Sequence, residues 1–224
     1  MQTHVMRLLT ALFVSVALVA VAIAPAMAQG QGGQAAPPGG GRGPAVPPLI
    51  MTTTAFEDGG VVPPEYAGPR TQASAPAGST TPPVSPELKF AQVPPNTQSF
   101  VLLFHDVEAS APPAANRSVM DVTHWLLWNI PGTATGLPKG VPQGAAELPD
   151  GSRQVALLAQ GYMGPGAGPG PYHHYVFELW ALDTKLDVPA AKIEQVGEAR
   201  KAVMAAMEGH VLGKAVLVGR YHRQ

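Results

Sequence analysis

A mainly β domain with few helices is the fold class this sequence predicts, and three observations carry the prediction. Four apolar runs, "SFVLLFHD" (Ser99–Asp106), "VTHWLLWNIP" (Val122–Pro131), "RQVALLAQGY" (Arg153–Tyr162) and "YHHYVFELWALD" (Tyr172–Asp183), are each bounded by Pro, Gly, Asn or Asp, which stop strands for backbone reasons. A fifth run, "KAVLVGRYHR" (Lys214–Arg223), places Ala215, Leu217, Gly219 and Tyr221 on one face by period-two alternation. One helix stands out: Val196, Ala199, Val203, Ala206 and Met207 recur at helical spacing, and Gly209 sits where a left-handed terminator belongs.

Taken in chain order, the first segment is set apart from the fold. "MQTHVMRLLTALFVSVALVAVAIAPAMAQG" has one early cation, Arg7, an apolar run from Leu8 to Ala24, and then Ala26-Met27-Ala28. This is the layout of a secretory signal peptide over residues 1–28, cleaved after Ala28. An uncleaved membrane anchor is the alternative, since the run approaches the about 18 residues of a spanning helix. No cysteine follows the cleavage site, so a lipid anchor there is not indicated, and the chain has neither disulfides nor thiolate metal sites.

Residues 29–48, "QGQGGQAAPPGGGRGPAVPP", offer hardly any apolar side chains to bury and read as a disordered linker. The rest, 49–224, is long enough for one domain of ordinary size. Removing Arg7 with the signal takes the formal charge from −1 to −2, 13 basic against 15 acidic residues. That balance lacks the basic stripe that a phosphate backbone requires, so nucleic acid is not expected as a partner. Within the domain, the Pro-heavy stretch from Thr71 to Pro86 reads as a surface loop. The first strand runs are apolar on both faces, as strands buried between two layers are.

Polar groups interrupt three of these strands. Period two puts His173, Tyr175, Phe177 and Leu179 on one face and His174, Val176, Glu178 and Trp180 on the other, so the adjacent histidines point apart and chelate poorly as a pair. His124 is expected on the face of Leu126 and Trp128. Asp106 shares a face with Phe100, Leu102 and Phe104, with His105 opposite and Glu108 two residues on. If the mouths of the three strands converge, Asp106, His124, His173 and Tyr175 form a small polar pocket in an apolar wall, the usual form of a ligand site.

The blocks "SPELKF", "FHDVEAS", "THWLLWNIP", "GYMGP" through "PYHHYVFELWALD", and "AMEGHVLGKAVLVGRY" stand in the order and spacing of the phosphatidylethanolamine-binding protein family, and the chain resembles its bacterial Raf-kinase-inhibitor-like branch from Thr52 to Arg223. The resemblance implies a β-sandwich with a Greek-key sheet, a short helix near the C-terminus and a small anion-binding cavity at one end. It carries the family's cavity residues onto Asp106, His124, His173 and Tyr175, with Glu108 and the turn Gly164-Pro165 at the rim. Two departures bear on that cavity. The family's Asp-Pro-Asp-Ala-Pro reads Asp106-Val107-Glu108-Ala109-Ser110, which removes both prolines and lengthens the second carboxylate. The usual His-Arg-Tyr reads His173-His174-Tyr175, which replaces a permanent cation by a group that titrates near neutrality.

Such a pocket suits a phosphate or carboxylate group, because imidazole N–H and tyrosine O–H donate to it while a nearby carboxylate favours protonated imidazole. Asp106, which would repel an anion if bare, is expected to orient a histidine. His105, His210 and His222 read as structural or solvent-facing and His174 as a rim residue. Metal is not expected, since no His-x-x-x-His or Glu-x-x-His spacing is present, and no other cofactor is implied. Hydrolase chemistry lacks a Gly-x-Ser-x-Gly elbow, and "GYMGPGAGPGP" lacks the Gly-Lys-Ser/Thr of a phosphate loop. The chain thus reads as a periplasmic or secreted binding protein rather than an enzyme, holding a small anion or phospholipid headgroup, without a membrane span once the signal is removed. The alternative is an interaction or protease-inhibitor-like module whose pocket docks an extracytoplasmic protein.

Overall fold

A computed structural model describes residues 47–68, 83–110 and 120–224. The expected signal peptide, residues 29–46 of the linker and most of the Thr71–Pro86 loop lie outside the described residues. The remainder belongs to one compact unit, and the described part of it is mainly β.

In chain order the strands are β1 (Ile50–Thr52), β2 (Gly60–Val61), β3 (Leu88–Ala91), β4 (Ser99–Ser110), β5 (Asp121–Pro131), β6 (Gly136–Leu137), β7 (Arg153–Val155), β8 (His173–Leu182) and β9 (Val211–Tyr221). A helix, α1 (Val196–Met207), precedes β9. The large sheet has the order β2-β9-β8-β4-β5-β7, and a small sheet has the order β1-β3-β6.

The two-faced apolar strands are explained by three layers. Phe100, Leu102 and Phe104 of β4 point inward with Phe177 and Leu179 of β8, meeting Met51, Leu88, Phe90 and Leu137 of the small sheet. Val101 and Leu103 point outward with Leu126 and Trp128 of β5, under Val196, Ala199, Val203 and Met207 of α1. Phe104 stacks on Phe177 at 3.9 Å between ring centroids, so the centre of the inner layer is aromatic. Helix α1 carries the expected apolar stripe, and Gly209, at φ +81°, turns the chain back into β9 as a left-handed residue does. On the outer face, Asn129 at φ +58° binds the backbone of Leu186 through both its amide nitrogen and its amide oxygen, at 2.9 and 2.8 Å.

One expected strand is much shorter. Of Arg153–Tyr162, only Arg153–Val155 pairs with β5. Ala156 then closes a turn onto the carbonyl of Ala159, and Leu157 and Met163 donate singly to the carbonyls of Thr123 and His124. Regular pairing ends there because β5 itself becomes irregular at that point.

Candidate functional site

Antiparallel pairing brings the polar residues together. β4 lies between β5 and β8, so its C-terminal end meets the N-terminal ends of both, and Asp106 is in register with Val122 on one side and Tyr175 on the other. His173 lies two residues upstream of Tyr175 on the same face. A cavity of about 650 Å³ opens there, with Asp106, His124, His173 and Tyr175 in its polar wall and Val122 and Leu157 in its apolar wall.

His124 reaches this cavity by a route that simple alternation does not give. Phe104 pairs with Trp125 and His105 with Thr123, which leaves His124 as the extra residue of a β-bulge. The expectation that His124 shares a face with Leu126 and Trp128 is therefore corrected: those two belong to the outer layer. The His124 ring stands edge-on to Tyr175 at 5.1 Å and to Phe104 at 5.5 Å, on the inner face.

The protonation pattern follows from the partners. His124 Nδ1–H donates to the carbonyl of Met163 at 2.8 Å and also faces that of Gly164 at 3.1 Å. Burial holds this imidazole below its ordinary range, and the two carbonyls and the Asp106 charge do not offset it. His124 is thus neutral near neutrality, with Nε2 the nitrogen left for a ligand.

Asp106 is buried, and its carboxylate is well supplied with donors. It accepts from His173 Nδ1 at 2.8 Å and from the backbone N–H groups of Glu108 and Ala109 at 3.1 Å each. Tyr175 accepts the N–H groups of Gly166 and Ala167 at 3.1 and 2.9 Å. Burial, then the charge of Asp106 and a hydrogen bond to it, raise the phenol well above its ordinary value, so Tyr175 remains a donor at any ordinary pH. Asp106 therefore orients His173, whose Nε2 is free to meet a ligand.

The rim residues divide. Gly164 lines the cavity, whereas Pro165 does not, and the Pro165 carbonyl accepts the N–H of Gly68 at 2.9 Å. Glu108 stands beside the cavity with its carboxylate turned to His174, accepting that residue's backbone N–H at 2.8 Å and pairing with its ring at 2.6 Å. Burial would raise the Glu108 carboxyl, but the two His174 hydrogen bonds, with the electrostatic influence of His174 and His173, together lower it. An oxygen of Asp106, an oxygen of Glu108 and a ring nitrogen of His173 also lie within 4.8 Å of one another, a grouping able to hold a metal ion in principle, although Asp106 and Glu108 are already hydrogen-bonded to histidines.

Tyr162 was not singled out by the sequence. It is buried, stacks on Phe104 at 5.4 Å and donates to the carbonyl of Tyr66 at 2.8 Å, forming the floor of the site. No periodic pattern marks it, because it sits in the irregular segment after β7; only its place in the "GYMGP" block points to it.

A family model described as phosphatidylethanolamine-binding protein matches residues 52–222. A UPF0098 protein of Methanothermobacter thermautotrophicus is 38% identical over 177 residues, covering 78% of this chain and 99% of that protein. The crystal structure of a putative phosphatidylethanolamine-binding protein homologue from Chlamydia trachomatis is similar, with a TM-score of 0.58 and 26% identity over 79% of this chain and 99% of the other. Escherichia coli YbcL, described as a new member of the mammalian family, is similar in fold, with a TM-score of 0.55 and 22% identity over the same shares.

Proposed function

The chain belongs to the phosphatidylethanolamine-binding protein family, and from that premise we propose that it is an exported binding protein whose cavity holds a small anionic group, phosphate-like or carboxylate, such as a phospholipid headgroup. One observation carries the reading: Asp106 is buried and its negative charge is taken up by donors, while the Nε2 atoms of His124 and His173 remain for the cavity. A carboxylate so engaged repels an incoming anion little, and an anion favours the protonated imidazoles it meets. Binding is then coupled to proton uptake.

A second reading is favoured by Leu158, which lines the same cavity and is 67% exposed. A protein partner offering an acidic side chain beside an apolar one would use both the cavity and this side chain. Titration by NMR with phosphorylethanolamine, inorganic phosphate and acetate tests the first reading. Saturable shifts around His124 and His173 are expected; unchanged binding in both His124→Ala and His173→Ala would place the anion elsewhere.

A further inference from the structure

Outside the cavity, on the opposite face of the large sheet, a chain of ionisable side chains runs from α1 across to β9. Arg200 of α1 pairs with Asp121, Asp121 accepts from His105 Nδ1 at 2.5 Å, and His105 Nε2 lies 3.6 Å from Glu178, which pairs with Lys214 at 2.5 Å. The Arg200 guanidinium also donates to the Thr123 hydroxyl at 3.3 Å. His105 Nε2 is buried without a hydrogen bond, with the Glu178 carboxylate 3.6 Å away.

The position of this network in the sheet gives it a consequence for the cavity. Thr123 and His105 are the last regular pair before the bulge that contains His124. Pairing β4 and β5 without the bulge would put His124 opposite His105 on the outer face and send Thr123 inward, since a one-residue slip exchanges the faces. The contacts of Arg200 with Asp121 and Thr123, together with the His105–Asp121 bond, are made only in the bulged register. The carbonyls of Thr123 and His124 in turn hold the segment that lines the cavity, through the N–H groups of Leu157 and Met163 at 3.0 and 2.9 Å.

We propose that Arg200, which does not line the cavity, is a positioning residue for it: through Asp121, His105 and Thr123 it selects the bulged register that turns His124 inward. For affinity this rests on the anion-binding reading above; for geometry it does not. Arg200 therefore couples the seating of α1 to the competence of the cavity on the other side of the sheet.

The test uses the full chain and two readouts, the ring nitrogen shifts of His124 by NMR and the affinity for inorganic phosphate. In Arg200→Met the signature of a neutral His124 with its proton on Nδ1 should be lost or mixed, and phosphate affinity should fall by about tenfold, the scale on which loss of an orienting partner acts. Arg200→Lys, which keeps a cation against Asp121, should recover most of both. Unchanged His124 shifts in a folded Arg200→Met protein would overturn the proposal. If that variant does not fold, Asp121→Asn, which keeps the side-chain shape, decides in the same way. If the parent protein binds none of phosphate, phosphorylethanolamine and acetate, the function reading fails alone, and the His124 shifts still judge the role of Arg200.

Discussion

His124 and Trp125 are consecutive in β5 and yet both side chains turn to the inner face of the large sheet, Trp125 to donate to Gln154 at 3.0 Å and His124 to stand over Tyr175. Strand geometry forbids this without an extra residue, and the bulge supplies it. The cavity owes its second imidazole to that local irregularity.

The burial of His124 sets a pH dependence for binding. Its imidazole is held below the ordinary value of 6.5, so the cationic form appears only as pH falls beneath that value. Affinity for glycerophosphorylethanolamine, whose phosphodiester keeps one negative charge over the range, should rise as pH is lowered, because the anion favours the cationic imidazole. In the absence of ligand the same shift makes the fold less stable as pH falls, because the unfolded chain takes up that proton first. Calorimetric titrations at several pH values check the sign, and affinity that falls with acid would reverse it.

His173 and His174 should differ strongly. A charge-assisted hydrogen bond is typically worth about 1.5–3 kcal/mol, or on the order of 10- to 150-fold in affinity. His173→Ala should lose that much for phosphorylethanolamine, while His174→Ala, whose ring pairs with Glu108 at the surface, should lose much less. Equal losses in the two variants would refute the assignment of faces.

Acid titration should expose Asp121. Burial alone would raise this carboxyl, but hydrogen bonds from His105 and Arg200 and their charges hold it at about 2, against an ordinary 3.8. A carboxylate depressed in the fold contributes stability above its unfolded pKa and loses it as pH falls toward the folded one. Asp121→Asn should therefore cost about 1–2 kcal/mol at neutral pH. Urea unfolding should show the difference from the parent shrinking between pH 4 and pH 2.

Gly164→Ala should disturb both stability and the site. A Cβ at this position would run into the carbonyl oxygen of Tyr66 and lie 2.6 Å from the backbone of Ala67 and Gly68. Backbone cannot step aside as a flexible side chain does, so about 1–3 kcal/mol of destabilisation is expected in urea unfolding. Because Gly164 O faces His124 Nδ1, the His124 ring signals should shift too.

The proposed export makes a prediction of its own. Mass analysis of the extracytoplasmic protein should find a chain that begins at or near Gln29. Recovery of the full-length chain in the membrane fraction would count against cleavage.

The faces of β8 and β9, the stripe of α1 and its stop at Gly209 were all legible in the sequence, because each depends on periodicity within one segment. So was the family, because its blocks keep their order along the chain. Tertiary structure alone decided the rest. Whether His124 faces inward depends on how β5 pairs with β4, and a bulge is a property of two strands that neither states by itself. The two- to four-residue strands of the small sheet are too short to show a period, and β7 ends early because of its neighbour's bulge. Glu108 finds His174, and Arg200 finds Asp121 across 79 residues, only when antiparallel pairing and the seating of α1 have brought distant side chains together. Local repetition fixes which side of a segment is apolar; long-range pairing fixes which polar groups share a site.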